Sequence, residues 1–115
     1  RRIAGGDTEP LKLGNLAVRR DWGWAPEYVE AMYLMLQQEQ PDDFVIATGA
    51  SYTLEEFVKT AFEAVNLDWK SHVEIDKSLF RPTDLAGGLG NPTKAKIKLG
   101  WQAHYQMPDV VRMMV

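Results

Sequence analysis

The chain has 115 residues, of which 45% are hydrophobic and 25% charged, as in an ordinary globular domain. A formal net charge of −3 makes nucleic-acid binding through a basic surface a poor hypothesis, and no apolar run approaches the ~20 residues that span a bilayer. Because there are no cysteines, disulfides, thiolate zinc sites and cysteine nucleophiles are excluded, and the composition suits a reducing compartment such as the cytoplasm.

The first part of the chain is predicted to form a helical turn, a short strand and one apolar helix. Residues 1–4 are typical of the last turn of a helix, and the alternation of apolar and polar side chains over residues 11–16 predicts a strand. Pro26 suits the first position of a helix that ends before the turn at residues 41–43. Because so few side chains of this helix are polar, we expect it to be buried on most sides.

The middle of the chain is predicted to contain a strand followed by a well-capped helix. Residues 44–47 form a continuous apolar run, which favours a strand covered on both faces in a parallel sheet, although this chain lacks the neighbours to cover it. Thr53 and Glu56 have the spacing of a capping box, and apolar residues then recur at helical spacing as far as Val65. Asn66 suits a left-handed C-terminal cap.

The last part of the chain is predicted to contain a strand, a loop and two helices. The strand covers residues 73–75 and the loop residues 84–90. Asn91 caps the first helix, which closes at Gly100, and Pro108 opens the second. One face of the second helix carries three apolar residues, Val110, Val111 and Met114. Strands and helices alternate along the chain, so the predicted fold class is α/β.

A cluster of charged and aromatic residues at positions 19–22 is the first candidate binding site. One arginine guanidinium can bind two phosphate oxygens at once. The adjacent Asp21 could fix the guanidinium of Arg19 or Arg20. The alternative is a surface ion pair with Trp22 packed beside it, which contributes little.

A second candidate lies at residues 81–84. Pro82 favours an extended backbone at Arg81, so the arginine side chain projects from a stiff segment. Arg81 and Asp84 together could hold a phosphate and a pair of ribose hydroxyls. The alternative is a simple local salt bridge between these two residues.

Other motifs indicate no chemistry of their own. The glycine-rich run at residues 87–90 precedes a helix but matches neither the dinucleotide fingerprint nor the P-loop, so we interpret it as a flexible loop. His72 and His104 lack the spacing of metal ligands and are interpreted as surface histidines. The sequence predicts no catalytic set.

Several segments, taken in order, carry a family resemblance. They are Leu13-Gly14-Asn15-Leu16, Arg20-Asp21-Trp22-Gly23, Glu27-Tyr28-Val29-Glu30-Ala31-Met32, Gln37-Gln38-Glu39-Gln40-Pro41-Asp42-Asp43, Phe80-Arg81-Pro82 and Leu89-Gly90-Asn91-Pro92. In this order the sequence resembles the substrate lobe of the GDP-mannose 4,6-dehydratase family, a branch of the extended short-chain dehydrogenase/reductases. The resemblance covers nearly the whole chain and is weakest at residues 66–79.

The resemblance implies a fold and a place within a larger protein. Residues 1–115 would be a C-terminal nucleotide-sugar-binding lobe of α/β class. An N-terminal Rossmann domain, absent from this chain, would hold NADP and the catalytic residues. The apolar run at residues 44–47 would then be a strand of the Rossmann sheet. We expect the complete protein to be a cytoplasmic homodimer or homotetramer.

The resemblance also implies an activity. Members of the family convert GDP-mannose to GDP-4-keto-6-deoxy-mannose by oxidation at C4, loss of water across C5 and C6, and reduction at C6. The complete protein would be such a lyase. The 115-residue chain alone would be inactive, because it lacks the glycine-rich dinucleotide motif and the Tyr-x-x-x-Lys motif of the family.

Four residues are assigned to substrate binding from the resemblance. Arg20 and Arg81 would contact the GDP diphosphate, and Asp84 would meet the ribose hydroxyls at a position where the family commonly has Glu. Asn15 lies in a shared segment and is assigned to the same site. No residue of this chain is assigned to catalysis, cofactor binding or metal binding.

Two alternatives stay open. The first is the substrate lobe of another nucleotide-sugar epimerase or reductase, because most of the base-binding pocket would lie outside this chain. The second is a free-standing α/β interaction module without enzymatic activity.

Overall fold

The computed structural model describes residues 1–115. The helices are α1 (Ala25–Leu36), α2 (Leu54–Glu63), α3 (Thr93–Leu99) and α4 (Met107–Met114), and the strands are β1 (Leu11–Leu13), β2 (Arg19–Arg20), β3 (Tyr52–Thr53) and β4 (Val73–Ile75). Three short 3-10 turns lie at Ile3–Gly5, Trp69–Ser71 and Lys77–Leu79. The predicted α/β class is confirmed, and no helix is both long and apolar enough to cross a membrane.

The strands form two separate pairs and not one sheet. β1 and β4 run parallel, with Leu11 opposite Val73, and β2 and β3 run antiparallel, with Arg20 opposite Tyr52. Each pair joins segments that are far apart in the sequence. The second pair fixes the backbone of Arg19 and Arg20 along one edge of β2.

Helix α2 is capped at both ends, as its sequence predicts. The Thr53 hydroxyl accepts from the Glu56 N–H at 3.1 Å, and the Glu56 carboxylate accepts from the Thr53 N–H at 2.6 Å, which completes the capping box. At the other end Asn66 has a left-handed φ of 58°. The Leu67 N–H donates to the Phe62 carbonyl, so the helix closes with the bond pattern of a Schellman motif.

The last two helices also follow their sequence signals. The Asn91 side chain accepts from the Thr93 N–H at 3.1 Å where α3 begins, and Gly100 has a left-handed φ of 66° where it ends. Helix α4 buries Val110 and Val111, but Met114 is 60% exposed. The two valines of the apolar face are thus covered, whereas Met114 in the last turn of α4 is not.

The prediction that the first long helix is buried on most sides is wrong for this chain. Of its residues only Glu27 and Ala31 are buried. Four of its large side chains lie more than half exposed, namely Val29, Met32, Tyr33 and Leu36. Helix α3 and Trp101 cover the side that carries Ala31, and no other element of the chain packs on the opposite side.

Residues 44–47 do not form the predicted strand within this chain. The segment has no regular secondary structure and makes no backbone–backbone hydrogen bond. Ala47 is buried, whereas Val45 is 53% exposed. An apolar run therefore becomes a strand only where a partner supplies the ladder, and this chain supplies none.

The core is small and the molecule is flat. Only 12 of the 115 residues are buried, and the principal extents are 55 × 32 × 17 Å. The accessible surface is 8071 Å², whereas a compact protein of this mass exposes roughly 6,300 Å². The radius of gyration is 17.2 Å, against about 13 Å for a compact chain of this length. The chain thus exposes much more surface than an independent domain of its size.

Candidate functional site

Strand β2 carries the central residue of the site, Arg20. The ladder with β3 holds one edge of this strand, and the Arg19 N–H donates to the Ala86 carbonyl at 3.0 Å on the other side. The Arg19 guanidinium donates to the Ser51 carbonyl. The backbone of a two-residue strand is thereby fixed from both sides, and the loop at residues 84–90 is brought beside it.

The guanidinium of Arg20 is held by three acceptors. Nη1 donates to the carbonyls of Arg19 and Leu85, both at 2.8 Å, and Nη2 donates to the Asp84 carboxylate at 2.8 Å. The arginine side chain remains 39% exposed and that of Asp84 22% exposed. A guanidinium has five N–H donors, so Nε and one hydrogen of Nη2 have no protein acceptor. The group is oriented, accessible and able to bind an anion.

Arg81 lies on the same turn as Asp84, but the two side chains form no ion pair. The Asp84 N–H donates to the Arg81 carbonyl at 3.3 Å, which closes a turn over residues 81–84. The Arg81 side chain is exposed and forms no hydrogen bond or ion pair. The alternative of a local Arg81–Asp84 salt bridge is wrong, because Asp84 pairs instead with Arg20, 64 residues away in the sequence.

Asn15 lies near this loop without joining the charged pair. Its side chain accepts from the Ala17 N–H at 2.9 Å and forms no hydrogen bond with Arg20 or Asp84. A Cβ atom on the neighbouring Gly14 would lie 3.0 Å from the Leu79 carbonyl oxygen, so this turn packs closely against the start of the segment that carries Arg81. The structure therefore brings Arg20 and Asp84 into contact and places Arg81 and Asn15 on adjoining backbone.

The prediction that Asp21 fixes an arginine guanidinium is wrong. Its Oδ1 accepts from the Thr48 N–H at 3.1 Å and from the Thr48 hydroxyl at 2.7 Å, and its Oδ2 accepts from the Gly49 N–H at 2.9 Å. Asp21 thus anchors the end of the extended segment at residues 44–47 directly beside Arg20.

The structural role of Glu27, a residue that is only 7% exposed, was not predicted from the sequence. Its carboxylate accepts from the N–H groups of His104 at 2.8 Å and Tyr105 at 3.4 Å, while its carbonyl accepts from Trp101 Nε1 at 2.9 Å. An acidic residue in a first helical turn is usually explained by the helix dipole, so nothing in the sequence signals these contacts with residues more than 70 positions away.

Tyr28 lies in the same buried region. Burial raises its pKa, and the negative charges of Asp21 and then Glu27 raise it further. The ring meets Trp101 edge to face, with the ring centroids 6.0 Å apart, and it covers Gly23, where a Cβ atom would lie 2.3 Å from the Tyr28 hydroxyl. Gly23 is therefore required by packing.

The glycine-rich loop has a structural explanation at Gly90. A Cβ atom there would lie 2.3 Å from the Cβ of Ala47, which is too close for any side chain at residue 90. Gly88, by contrast, has open space around it. The loop is therefore packed closely at Gly90 and has open space at Gly88. Within residues 1–115 no group of three or more His, Asp or Glu side chains could hold a metal ion.

Solved structures share the fold of this chain. RMD from Pseudomonas aeruginosa, solved with NADPH, superposes with a TM-score of 0.81 at 16% identity, over 96% of this chain and 36% of that one. A UDP-glucose 4-epimerase from Thermotoga maritima, solved with UDP-glucose, superposes with a TM-score of 0.79 at 24% identity, over 97% and 35%. The chain therefore has the fold of about a third of each of these two proteins.

Sequence comparison identifies one family. The family profile described as GDP-mannose 4,6 dehydratase matches residues 1–114. GDP-mannose 4,6 dehydratase 1 of Arabidopsis thaliana is 52% identical over 114 residues, which are 99% of this chain and 32% of that protein. The chain belongs to the GDP-mannose 4,6-dehydratase family, and it spans about a third of the length of the curated relatives it matches.

Proposed function

We propose that this chain is the C-terminal, GDP-sugar-binding part of a GDP-mannose 4,6-dehydratase. The complete protein would convert GDP-mannose to GDP-4-keto-6-deoxy-mannose, and this part would bind and orient the substrate. Orientation of a bound substrate lowers the entropic part of a reaction barrier, so a lobe without reacting groups still contributes to the rate.

One observation carries the proposal. Arg20 presents an accessible guanidinium whose orientation is set by three acceptors and which keeps two N–H donors without protein partners. Arginine binds phosphate oxygens through such paired donors, and a diphosphate supplies several acceptors at matching spacing. Family membership over residues 1–114 supports a GDP-sugar as the source of that diphosphate.

The other three site residues receive roles that their positions support. Arg81, exposed and without a protein partner, would contact the same diphosphate from the turn at residues 81–84. Asp84 keeps a second carboxylate oxygen outside its bond with Arg20 and would meet the ribose hydroxyls. Asn15, on the turn packed against Leu79, would bind at the edge of the same site.

The sequence of this chain lacks the glycine-rich dinucleotide motif of the family. We therefore place NADP on an N-terminal Rossmann domain of the complete protein. The exposed apolar side of α1 supports a further domain that would cover it. We further propose a cytoplasmic homodimer or homotetramer.

A binding measurement on the full-length protein tests the proposed site. Arg20→Ala should weaken GDP-mannose binding by about 1.5–3 kcal/mol, the range for hydrogen bonds to charged groups, and Arg81→Ala should have an effect of the same sign. Arg112→Ala is the matched control, because Arg112 is an exposed arginine paired only with Asp109 on α4. Titration calorimetry would give the dissociation constants. An unchanged affinity of Arg20→Ala for GDP-mannose would contradict the proposed binding site.

Ligand choice separates the proposal from the other nucleotide-sugar enzymes. GDP-mannose should raise the melting temperature of the full-length protein more than UDP-glucose or dTDP-glucose does, because only ligands that bind the folded state stabilise it. A stronger shift with UDP-glucose would favour an epimerase. The 115-residue chain supplied with NADP and GDP-mannose should form no product, and turnover by the chain alone would contradict its assignment as a binding part.

A further inference from the structure

We infer that Asp21 is a positioning residue for Arg20, which it holds in place through Thr48 and Gly49 and not through the guanidinium. The inference rests on the proposed function, since it concerns how the diphosphate-binding arginine is presented. Asp21 was expected to contact arginine and does not; its carboxylate is instead used for three hydrogen bonds to another segment.

The three bonds define a clamp between two chain segments. Both oxygens of the Asp21 carboxylate are used, one by the Thr48 N–H and hydroxyl and the other by the Gly49 N–H, at distances of 2.7–3.1 Å. The Thr48 hydroxyl is fixed in turn, because it accepts from the Ala50 N–H at 3.1 Å. Gly49 has a left-handed φ of 79°, which allows its N–H to point at the same carboxylate.

The clamp acts directly on the arginine backbone. Strand β2 has only two residues, and its pairing with β3 ends at Arg20. The next residue, Asp21, is therefore the first point at which the chain leaving β2 could move. Holding its side chain against Thr48 and Gly49 fixes the direction of the Arg20 Cα–Cβ bond, while Asp84 and the Leu85 carbonyl fix the far end of the side chain.

A carboxylate is required by the donors that face it. All three partners of Asp21 are donors, so both oxygens must accept. In Asp21→Asn the amide nitrogen would face either the Gly49 N–H or the donors of Thr48, and two donors would oppose each other. This substitution keeps the size of the side chain and breaks the clamp on at least one of its two sides.

A double-mutant cycle on the full-length protein tests the inference, with GDP and guanosine as the probes. Asp21→Asn should weaken GDP binding about tenfold and leave guanosine binding unchanged, because only GDP carries the diphosphate. In an Arg20→Ala background, Asp21→Asn should have no further effect on GDP. Additive effects, or equal weakening of guanosine, would show a general structural role and overturn the inference. If Arg20→Ala alone leaves GDP affinity unchanged, the proposed site itself fails.

A milder pair of variants covers the case in which Asp21→Asn does not fold. Thr48→Val removes the hydroxyl that donates to Asp21 at 2.7 Å and keeps the side-chain shape, whereas Thr48→Ser keeps the hydroxyl. GDP affinity should fall severalfold in Thr48→Val and stay near the parent value in Thr48→Ser. Equal affinity in the two variants would show that the clamp does not set the position of Arg20.

Discussion

Two regions of the molecule, one around α2 and α4 and the other around α1 and residues 44–47, differ in how much of their apolar surface the chain itself buries. Around α2 and α4, buried apolar residues face one another, and both helices begin with a capping box. Around α1 and residues 44–47, apolar side chains of similar size lie exposed. Both regions have strongly apolar sequences, so apolarity alone does not determine burial. The position of a partner does.

The largest expected difference concerns single large-to-small substitutions. Met107 on α4 is 1% exposed, so Met107→Ala should lower the free energy of unfolding by about 2–5 kcal/mol through lost burial and the cavity left behind. In the same 115-residue chain, Leu36→Ala, at a residue 81% exposed on α1, should change it by less than about 0.5 kcal/mol. Urea denaturation of the two variants measures both values, and similar values would show that the two regions do not differ in this way.

An intermediate effect is expected at Glu27, which connects α1 to residues 101–105 through hydrogen bonds. Glu27→Ala removes the acceptor of the His104 and Tyr105 N–H groups in a buried place and should destabilise the fold by about 1–3 kcal/mol. Glu30→Ala on the same helix is the control, since that side chain is exposed and unpaired. Equal melting temperatures for the two variants would mean that α1 is attached by other contacts.

The smallest effect is expected from pH, at an exposed cluster that joins the end of α1 to α3. Lys94 at 2.6 Å and Lys98 at 3.0 Å donate to the Asp42 carboxylate and, with the Asp43 N–H, hold its pKa well below the ordinary value of 3.8. A lowered folded-state pKa gives stability that is present above pH 3.8 and is lost as the pH falls toward the folded-state pKa.

The pKa of Asp42 can be followed by NMR during an acid titration. Lys94→Met should raise this pKa, because it removes the donor with the largest effect, and should reduce the stability lost on acidification. Lys96→Met is the control, because Lys96 lies on the same helix and forms no such bond. A pKa of Asp42 that is the same in both variants would contradict the lysine contacts.

The sequence predicted the parts of the fold that depend on neighbours along the chain. The capping box at Thr53, the left-handed Asn66 and the stop at Gly100 are confirmed, because each requires only a few adjacent residues. The burial of α1 was predicted wrongly for this chain, and the strand at residues 44–47 stays a prediction for a sheet whose other strands this chain does not contain. Local signals state what a segment can form, whereas the partner decides whether it forms.

The candidate site divides in the same way. The residue types indicated clusters at 19–22 and 81–84, and the resemblance selected Arg20, Arg81 and Asp84 within them. The pairing of Arg20 with Asp84 joins positions 64 apart, and no spacing rule reaches that far. The bonds of Asp21 to Thr48 and Gly49 span more than 25 positions and replaced the neighbouring contact that was expected. The fold, and not the local pattern, selects which of several possible partners a charged residue meets.

The packing of Gly90 on Ala47 has a consequence for how this loop can vary in length. Residues 84–86 are tied to β2 and Gly90 is tied to Ala47, so both ends of the loop keep their places whatever lies between them. Doubling the length of a flexible loop costs only about 0.6 kcal/mol in closure entropy. Residues inserted between Gly87 and Gly88, where there is open space, would alter the rim of the proposed site and leave the arginine that it surrounds in position.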